Sequence, residues 1–343
     1  MQRLWHSNFV IRLRSWEYWP LYVVYFPIFF YWFWLSLRAR SFLFFSASNP
    51  TIESGGMLGE SKSDILKLVP DGVKPITLFF NKGTDSDSIV AEINSCKLNY
   101  PIIAKPDMGE RGWQVEKITE EASLRKYILE SPVDFIIQEY IDLPVELGVF
   151  YYRLPDQEKG EVSSIVVKDM LKVTGDGRST LRELMMRYDR AKLQVETLEK
   201  ARDLTEVPRD GVEIELVSIG NHGKGTTFLN GNHLITEELT RQFDQLSKQV
   251  DGFFYGRYDL RCASYEALYR GEMKIMELNG AGAEPAHIYH PGFSIVEAYR
   301  VLFKHWKILG QISRANNKKG VKYMTLKEAK EVWTRLKTKQ ATA

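Results

Sequence analysis

The sequence predicts an α+β fold preceded by an aromatic-rich segment at the N-terminus. Short runs of alternating apolar and polar residues, typical of strands, are intermingled with longer runs of helical periodicity, and no internal repeat is present. Residues 18–37 contain no charged side chain. The 343 residues are enough for a sizeable core and two or three subdomains.

The elements follow from the period of the apolar residues. In chain order, strands are predicted at residues 76–80, 100–105, 135–140, 146–152, 163–168, 212–217, 253–260 and 273–278. Helices are predicted at residues 86–96, 120–129, 181–204, 236–250, 294–312 and 325–337. Thr180 and Glu183 have the spacing of a capping box, which places the start of the third helix.

Charge is distributed unevenly along the chain. Residues 1–40 carry five arginines and one glutamate, and residues 314–343 carry nine basic residues and two glutamates. Because the whole chain has a formal net charge of only +2, the body between these ends is acidic. The two cysteines, Cys96 and Cys262, lack metal-like spacing and are interpreted as reduced packing residues of a cytosolic protein.

The uncharged segment is long enough for a membrane. Its twenty residues include eleven aromatic ones and two prolines, and as a helix it would reach roughly 30 Å, one hydrocarbon thickness. Arginines flank it on both sides, so the positive-inside rule gives no single orientation. A re-entrant or interfacial segment, a true span and a buried soluble element all remain open. The basic ends favour a membrane surface over nucleic acid as a partner, and we expect the protein at the cytoplasmic face of the cell membrane.

Two neighbouring strands near the C-terminus predict a metal site. Asp259 lies on the first strand, and Glu277 and Asn279 lie on the second, so the three oxygen-bearing side chains can project from one sheet face. Such ligands suit Mg²⁺ held against the phosphates of a nucleotide, with Mn²⁺ as an alternative metal. Arg257, two residues before Asp259, can point to the same face.

This pattern, R-x-D followed by E-x-N, resembles the metal-binding end of the ATP-grasp superfamily, whose members include D-alanine–D-alanine ligase, glutathione synthetase and cyanophycin synthetase. The resemblance covers about residues 98–293 and implies an ATP-grasp fold, in which two α+β subdomains enclose ATP. It implies the domains 1–45 (membrane-associated segment), 46–97 (linker and reduced N-terminal subdomain), 98–312 (ATP-grasp domain) and 313–343 (basic helix and tail). Residues 46–62, rich in glycine and serine, are interpreted either as a linker or as a loop that contacts phosphate or substrate.

Further motifs match the superfamily in the same order. Lys105 ends a strand and precedes a glycine-bearing turn that includes Gly109, Arg111 and Gly112, an arrangement that resembles the phosphate-gripping lysine and loop of ATP-grasp enzymes. Residues 136–141 resemble the hinge whose backbone pairs with adenine, and Glu146 is expected to accept hydrogen bonds from the ribose. The resemblance therefore implies a nucleotide site that also includes Gln138, Glu139, Tyr140 and Ile141.

Downstream of the hinge, residues 175–184 closely resemble a segment of cyanophycin synthetase and bifunctional glutathione synthetase. Lys168, just before them, is expected to be a second contact to the phosphates and a catalytic group. His222 and Lys224 lie in a glycine-rich loop where those enzymes cover the nucleotide, and His222 is interpreted either as an acid or base or as a loop residue near the substrate.

The resemblance implies an ATP- and Mg²⁺-dependent ligase that joins a carboxylate to an amine through an acyl phosphate, with Arg257 stabilising the oxyanion. Small-molecule or lipid-linked substrates are both open, and the oligomeric state is not predicted. An ATP-grasp phosphotransferase and a non-catalytic membrane adaptor are the alternatives. Since few residues separate the aromatic segment from the lysine strand, we expect the membrane-facing part to close the substrate site.

Overall fold

The computed structural model describes residues 7–109, 112–217 and 220–341, in which helices pack around antiparallel sheets. The α-helices are α1 (Asn8–Arg14), α2 (Leu21–Ala39), α3 (Lys62–Leu68), α4 (Ser86–Ser95), α5 (Glu121–Glu130), α6 (Leu181–Met186), α7 (Asp189–Lys192), α8 (Val195–Leu198), α9 (Glu237–Gln249), α10 (Tyr265–Tyr269), α11 (Ile295–Lys318) and α12 (Leu326–Ala341). The strands are β1 (Thr77–Phe80), β2 (Ile102–Pro106), β3 (Glu116–Ile118), β4 (Phe135–Glu139), β5 (Val145–Tyr152), β6 (Glu161–Asp169), β7 (Lys172–Thr174), β8 (Glu213–Glu215), β9 (Thr227–Asn230), β10 (Tyr255–Cys262) and β11 (Met273–Asn279). The predicted α+β class is confirmed.

The first subdomain is a four-stranded antiparallel sheet in the order β1-β4-β2-β3. Ile102 and Ala104 of β2 are fully buried because their side chains pack against the apolar stripes of α4 and α5. In α4 this stripe is formed by Ile89 and Ile93, four residues apart and therefore on one helix face. The helices cover one face of the sheet, so the opposite face, which carries Ile103, Lys105 and Gln138, is left to build the site.

The second subdomain is a five-stranded antiparallel sheet in the order β11-β10-β5-β6-β9. One face of β5 carries the side chains of Leu147, Val149 and Tyr151, which alternate along the strand with residues of the other face. This face packs against α9, whose Leu239 and Phe243 are fully buried. On the opposite face the same sheet is covered only in part. There Phe150 packs with residues of α11, while the charged positions further along the strands border a cleft.

The helix predicted over residues 181–204 is wrong, because the chain forms α6, α7 and α8 instead. Tyr188 adopts an extended backbone between α6 and α7. Apolar residues of all three helices pack with β7 and β8 in a small separate core. A straight helix over residues 181–204 would be roughly 36 Å long and would carry most of these residues away from that core. The predicted capping box of Thr180 and Glu183 is confirmed at the start of α6.

Helix α2 packs one face against α11 and exposes the other. Ile28 lies beside Leu302, and Leu35 lies over Gly310, so the inner face is buried along two turns. The outer face exposes large apolar side chains: Tyr22, Phe26, Phe29, Phe30, Phe33 and Leu37. By length and composition α2 could cross a membrane, and 22% of its apolar window is buried.

The glycine-rich segment before α3 is held by specific hydrogen bonds. The Asn49 side chain donates to the carbonyls of Gly55 and Tyr255 at 2.8 and 2.9 Å. Gly55 and Gly56 in turn accept hydrogen bonds from the backbone of residues 281 and 282, at 2.9 and 2.7 Å. Gly56 has a positive φ and lies so close to Gly280 that a Cβ would stand 2.7 Å from its Cα. This segment is thereby fastened to the chain that follows β11.

Buried His305 of α11 predicts a loss of stability in acid. Burial, together with weaker effects of His287 and Lys304, lowers the pKa of His305 to about 3. An unfolded histidine has a pKa of about 6.5, so between these values the unfolded state binds a proton that the folded state does not. The free energy of unfolding therefore falls as the pH drops below about 6.5, by up to about 1.4 kcal/mol per pH unit for this group.

We expect His305→Phe to weaken that dependence, because phenylalanine can keep the edge-on contact with Phe150 and does not titrate. The measurement is urea unfolding at pH 7 and pH 5. His233→Phe, at an exposed position, is the matched control and should show the wild-type difference in the free energy of unfolding between pH 7 and pH 5. An unchanged difference in His305→Phe would contradict the prediction.

Candidate active site

The candidate active site is a cleft of about 1200 Å³ between the two sheets. It brings together every described residue that was predicted for the site: Lys105, Gly109, Gly112, Gln138, Glu139, Tyr140, Ile141, Glu146, Lys168, His222, Lys224, Arg257, Asp259, Glu277 and Asn279. Arg111, which was also predicted, lies outside the described residues. The cleft continues toward the N-terminal segment, where Trp16, Val24 and Tyr25 line it.

Lys105 lies buried near the end of β2. Its Nζ donates to Oε1 of Gln138 at 3.1 Å. Gln138 donates from Nε2 to the Met276 carbonyl at 3.4 Å, which links the first sheet to β11 of the second. Burial lowers the pKa of Lys105, and the Glu277 carboxylate opposes this effect. An ammonium has three N–H groups, so Lys105 retains capacity to bind an anion in the cleft.

Asp259 is the centre of a charge network on β10. Arg257 lies on the same strand face and donates to both Asp259 oxygens, from Nε at 2.9 Å and from Nη2 at 3.0 Å. Lys168 Nζ lies 3.7 Å from Oδ1, and the Asn279 amide donates to Oδ2 at 3.1 Å. Burial raises the pKa of Asp259, but Arg257 and Lys168 outweigh burial. The net pKa is lowered, so Asp259 stays ionised.

Glu146 on β5 is a second carboxylate with two cationic neighbours. Lys168 Nζ donates to Oε1 at 3.1 Å, and Arg261 Nε donates to Oε2 at 2.9 Å. Lys168 is thus shared between Glu146 and Asp259. Burial lowers the pKa of Lys168, but the two carboxylates outweigh burial and the net pKa is raised. Lys168 is therefore held as a cation within the cleft.

Two lysines hold the ends of the predicted phosphate loop. Lys62 Nζ donates to the Gly109 carbonyl at 2.6 Å, and Lys224 Nζ donates to the Gly112 carbonyl at 2.7 Å. Gly112 has a φ of +71°, and a Cβ there would stand 3.3 Å from Lys224 Nζ, so glycine permits this approach. The two ammonium groups thereby lie beside the loop where phosphate contacts were predicted.

His222 is bound by the N-terminal segment. Its Nε2 lies 2.9 Å from Oε2 of Glu17, and the same oxygen accepts a hydrogen bond from Arg190 Nη2 at 2.6 Å. The ring of Tyr18 stacks on His222 at 5.9 Å between centroids. Because His222 Nε2 is already hydrogen-bonded to Glu17, the geometry favours the interpretation of His222 as a loop residue over that of an acid or base.

The connection between β4 and β5 joins the two sheets where the adenine contact was predicted. Glu139 accepts a hydrogen bond from the Ile76 backbone at 3.1 Å, and the Ile141 carbonyl accepts one from Arg261 at 3.0 Å. The Tyr140 ring contacts Lys117 Nζ at 3.7 Å from its centroid. These contacts fasten the connection on both sides, and adenine binding along it stays a prediction.

The cleft contains oxygen donors of the kind that Mg²⁺ prefers, and magnesium binding stays a prediction. Asp259 and Glu277 are direct partners in the β10–β11 register, and Asn279 is paired with Arg257 two residues further along the same strands. Among the residues described, no three His, Cys, Asp or Glu side chains cluster as metal ligands, so the set needs the Asn279 amide and phosphate oxygens to be complete. Rotation of that amide would exchange its donor for its acceptor oxygen.

Several cleft residues were not predicted from the sequence. Arg261 lies two residues after Asp259, so the alternation of the strand could have placed it on the same face. Glu17, Tyr25 and Glu284 carry no such signal, because they reach the cleft through contacts between distant parts of the chain. Tyr25 of α2 donates a hydrogen bond to Glu284, which lies in the loop after β11.

No family model matches this chain, and no curated protein sequence is significantly similar to it. Among solved structures, a bifunctional glutathione synthetase from Pasteurella multocida is similar, with 14% identity and a TM-score of 0.36, over 71% of this chain and 36% of that one. The VanG D-Ala:D-Ser ligase from Enterococcus faecalis is similar with 14% identity and a TM-score of 0.43, over 75% of this chain and 61% of that one. A D-alanine–D-alanine ligase from Bacillus anthracis has 15% identity and a TM-score of 0.39, over 76% and 69% of the two chains.

This chain thus spans less than two thirds of the length of the first two structures. Because these structural similarities are low, the reaction assigned to this chain rests on the residues of the cleft.

Proposed function

We propose that this protein is an ATP- and Mg²⁺-dependent ligase that joins a carboxylate to an amine. The observation that carries the proposal is the convergence of Lys105, Lys168 and the Asp259 network in one cleft between two sheets. Lys105 belongs to the first sheet, whereas Lys168 and the oxygen donors for a metal belong to the second, so a nucleotide between the sheets would contact both.

In this proposal Lys105 and Lys168 bind the phosphates of ATP together with the loop that contains Gly109 and Gly112. The Mg²⁺ would be held by Asp259, Glu277 and Asn279, and when bound it neutralises charge on the phosphates. The backbone of residues 139–141 would bind adenine, and Glu146 would accept from the ribose hydroxyls.

The chemistry would proceed in two steps. A carboxylate oxygen of the substrate attacks the γ-phosphorus and ADP leaves, which gives an acyl phosphate. The amine nitrogen then attacks the carbonyl carbon, loses a proton and expels phosphate, which gives an amide. Arg257 is suited to stabilise the oxyanion of the second step, because Asp259 holds its guanidinium in place through two hydrogen bonds.

The test of the proposed function has two parts. ATP binding is measured by calorimetry with and without Mg²⁺, and binding that requires Mg²⁺ is expected. Products formed from ATP are then analysed by mass spectrometry for ADP, phosphate and a new amide. A stable phosphoester instead of an amide would identify a phosphotransferase, and absence of ATP binding would refute both enzymes.

We also propose that the protein lies on an anionic membrane surface through α2. The exposed aromatic face of α2 is flanked by four exposed arginines, Arg12, Arg14, Arg38 and Arg40. An apolar face bordered by cations is suited to the interface of an anionic bilayer. Because the other face of α2 packs on α11, this arrangement supports an interfacial helix over a span.

Replacing Phe26 and Phe30 together by serine should weaken binding to vesicles that contain anionic lipid by about tenfold or more. Both side chains are more than 60% exposed, and burial of a phenylalanine in an apolar phase is worth about 1.5–3 kcal/mol. Cosedimentation with vesicles measures the effect. Leu129→Ser, at an 87% exposed position on α5, is the control and should bind like the wild type. Equal binding by all three proteins would contradict the interfacial arrangement.

A further inference from the structure

The loop after β11 places in the cleft a carboxylate whose hydrogen-bond donors are phenols rather than a lysine or an arginine. The Glu284 side chain accepts hydrogen bonds from two phenols, Tyr25 and Tyr289, the latter at 2.9 Å. Across the described part of the chain, no lysine or arginine forms an ion pair with this carboxylate, in contrast to Asp259 and Glu146. A carboxylate has about four acceptor positions, so Glu284 retains capacity for the N–H groups of an ammonium.

Glu284 is next to the group that would act on the substrate carbonyl. Its backbone carbonyl accepts a hydrogen bond from Arg257 Nη1 at 3.1 Å. An amine bound at Glu284 would therefore lie beside the position where the proposed acyl phosphate forms. The contact thus brings Arg257 of β10 and Glu284 of the loop after β11 to the same part of the cleft.

Near Glu284 the cleft borders α2, and several of its lining side chains there are apolar. Val24 on the inner face of α2 and Leu302 and Leu309 of α11 line this part, and all three side chains are buried. Trp16, Trp306 and the imidazole of His305 also line the cleft. Tyr22 and Phe26, which flank this part of α2 in sequence, point to the exposed outer face. A hydrocarbon chain could thus pass from the surface proposed to meet the membrane to the carboxylate in the cleft.

We propose that the amine substrate of this ligase is a primary amine carried on a hydrocarbon chain. Its ammonium binds Glu284, and its chain lies between α2 and α11. This inference rests on the proposed function and adds to it the class of the acceptor. A short polar amine or a free amino acid would leave the apolar part of the cleft unused.

The test is equilibrium dialysis of the full-length protein, loaded with Mg²⁺ and a non-hydrolysable ATP analogue, against labelled probes below their micelle concentrations. The probes are decylamine, decanol, butylamine and glycine. We expect one saturable site for decylamine, with an affinity about tenfold or more above that of each other probe, since both the charge and the chain contribute. Preference for glycine or butylamine over decylamine would overturn the inference.

Glu284→Gln keeps the size of the side chain and removes its charge. We expect this substitution to lower the affinity for decylamine about tenfold or more and to leave that for decanol unchanged. Glu297→Gln, at an exposed position of α11, is the matched control and should bind decylamine like the wild type. Saturable decylamine binding that is equal in both variants would overturn the role of Glu284, and non-saturable binding would show that the chain only coats the aromatic face.

Binding of Mg²⁺-ATP by the wild-type protein is measured in the same preparation, which separates the two proposals. ATP binding without preference for the long-chain amine would refute this inference alone. Absence of ATP binding would refute the ligase itself, whatever the amines do.

Discussion

Glu277→Gln is expected to lower the rate of ATP-dependent amide formation by about a thousandfold and to weaken Mg²⁺-dependent ATP binding. Glu277 pairs directly with Asp259 across β10 and β11, and the glutamine keeps its size while it removes one of the two charged ligands proposed for the metal. Loss of metal coordination removes several kcal/mol of charge stabilisation, which corresponds to a rate effect of this size. ADP formation and calorimetry with Mg²⁺ are the measurements.

The same substitution should move a pH limit. Burial lowers the pKa of Lys105, and Glu277 counteracts this effect. Without the Glu277 carboxylate the pKa of Lys105 falls further, so Lys105 loses its proton at a lower pH. The alkaline limit of ATP binding should therefore shift to lower pH.

Glu272→Gln is the control for both effects, since Glu272 precedes β11 at an exposed position and pairs with Arg270. It should retain wild-type binding and turnover. Unchanged Mg²⁺ dependence in Glu277→Gln would exclude Glu277 from the metal site and would leave Asp259 as the one charged ligand of the proposed set.

Arg257→Lys is expected to lower the rate of amide formation by about 10²–10³-fold with little effect on ATP binding. Arg257 donates to both oxygens of Asp259 and to the Glu284 carbonyl, and a lysine ammonium cannot reproduce this fork. The loss of one well-placed oxyanion donor has effects of this size. The rate is followed as amide formed, and ATP binding by calorimetry.

Arg270→Lys offers a matched comparison, because Arg270 also pairs with a carboxylate two residues later, Glu272, but at the surface. This variant should behave like the wild type, since exposed ion pairs contribute little. Wild-type amide formation by Arg257→Lys would exclude Arg257 from the second step. An equal loss of ATP binding and rate would instead assign it to nucleotide binding.

Much of the cleft could be predicted because strand alternation is a local property. Arg257 and Asp259 are two residues apart on one strand, and their side chains must therefore share a face. The pairing of that strand with the one that carries Glu277 follows from a short connection, which favours an antiparallel neighbour. The position of Lys105 at the end of an apolar strand followed from the same kind of pattern.

The helix predicted over residues 181–204 shows where such patterns fail. Helical periodicity is present in the sequence, but the apolar residues pack in a small core with β7 and β8. The helix is therefore interrupted, and three short helices form instead. Tertiary packing outweighs intrinsic helix propensity, which differs by less than about 1 kcal/mol between most residues.

The amino-acid sequence was sufficient for the α+β class, for most elements and for a set of residues that lines one cleft, because these depend on periodicity over a few neighbouring positions. The sequence predicted that the membrane-facing part closes the substrate site, but only the folded chain revealed that Val24 and Tyr25 of α2 line the cleft and that Glu17 binds His222, 205 positions away. It likewise revealed the bond between Tyr25 and Glu284. Contacts of this kind depend on how separate elements pack in three dimensions, and no local period encodes them.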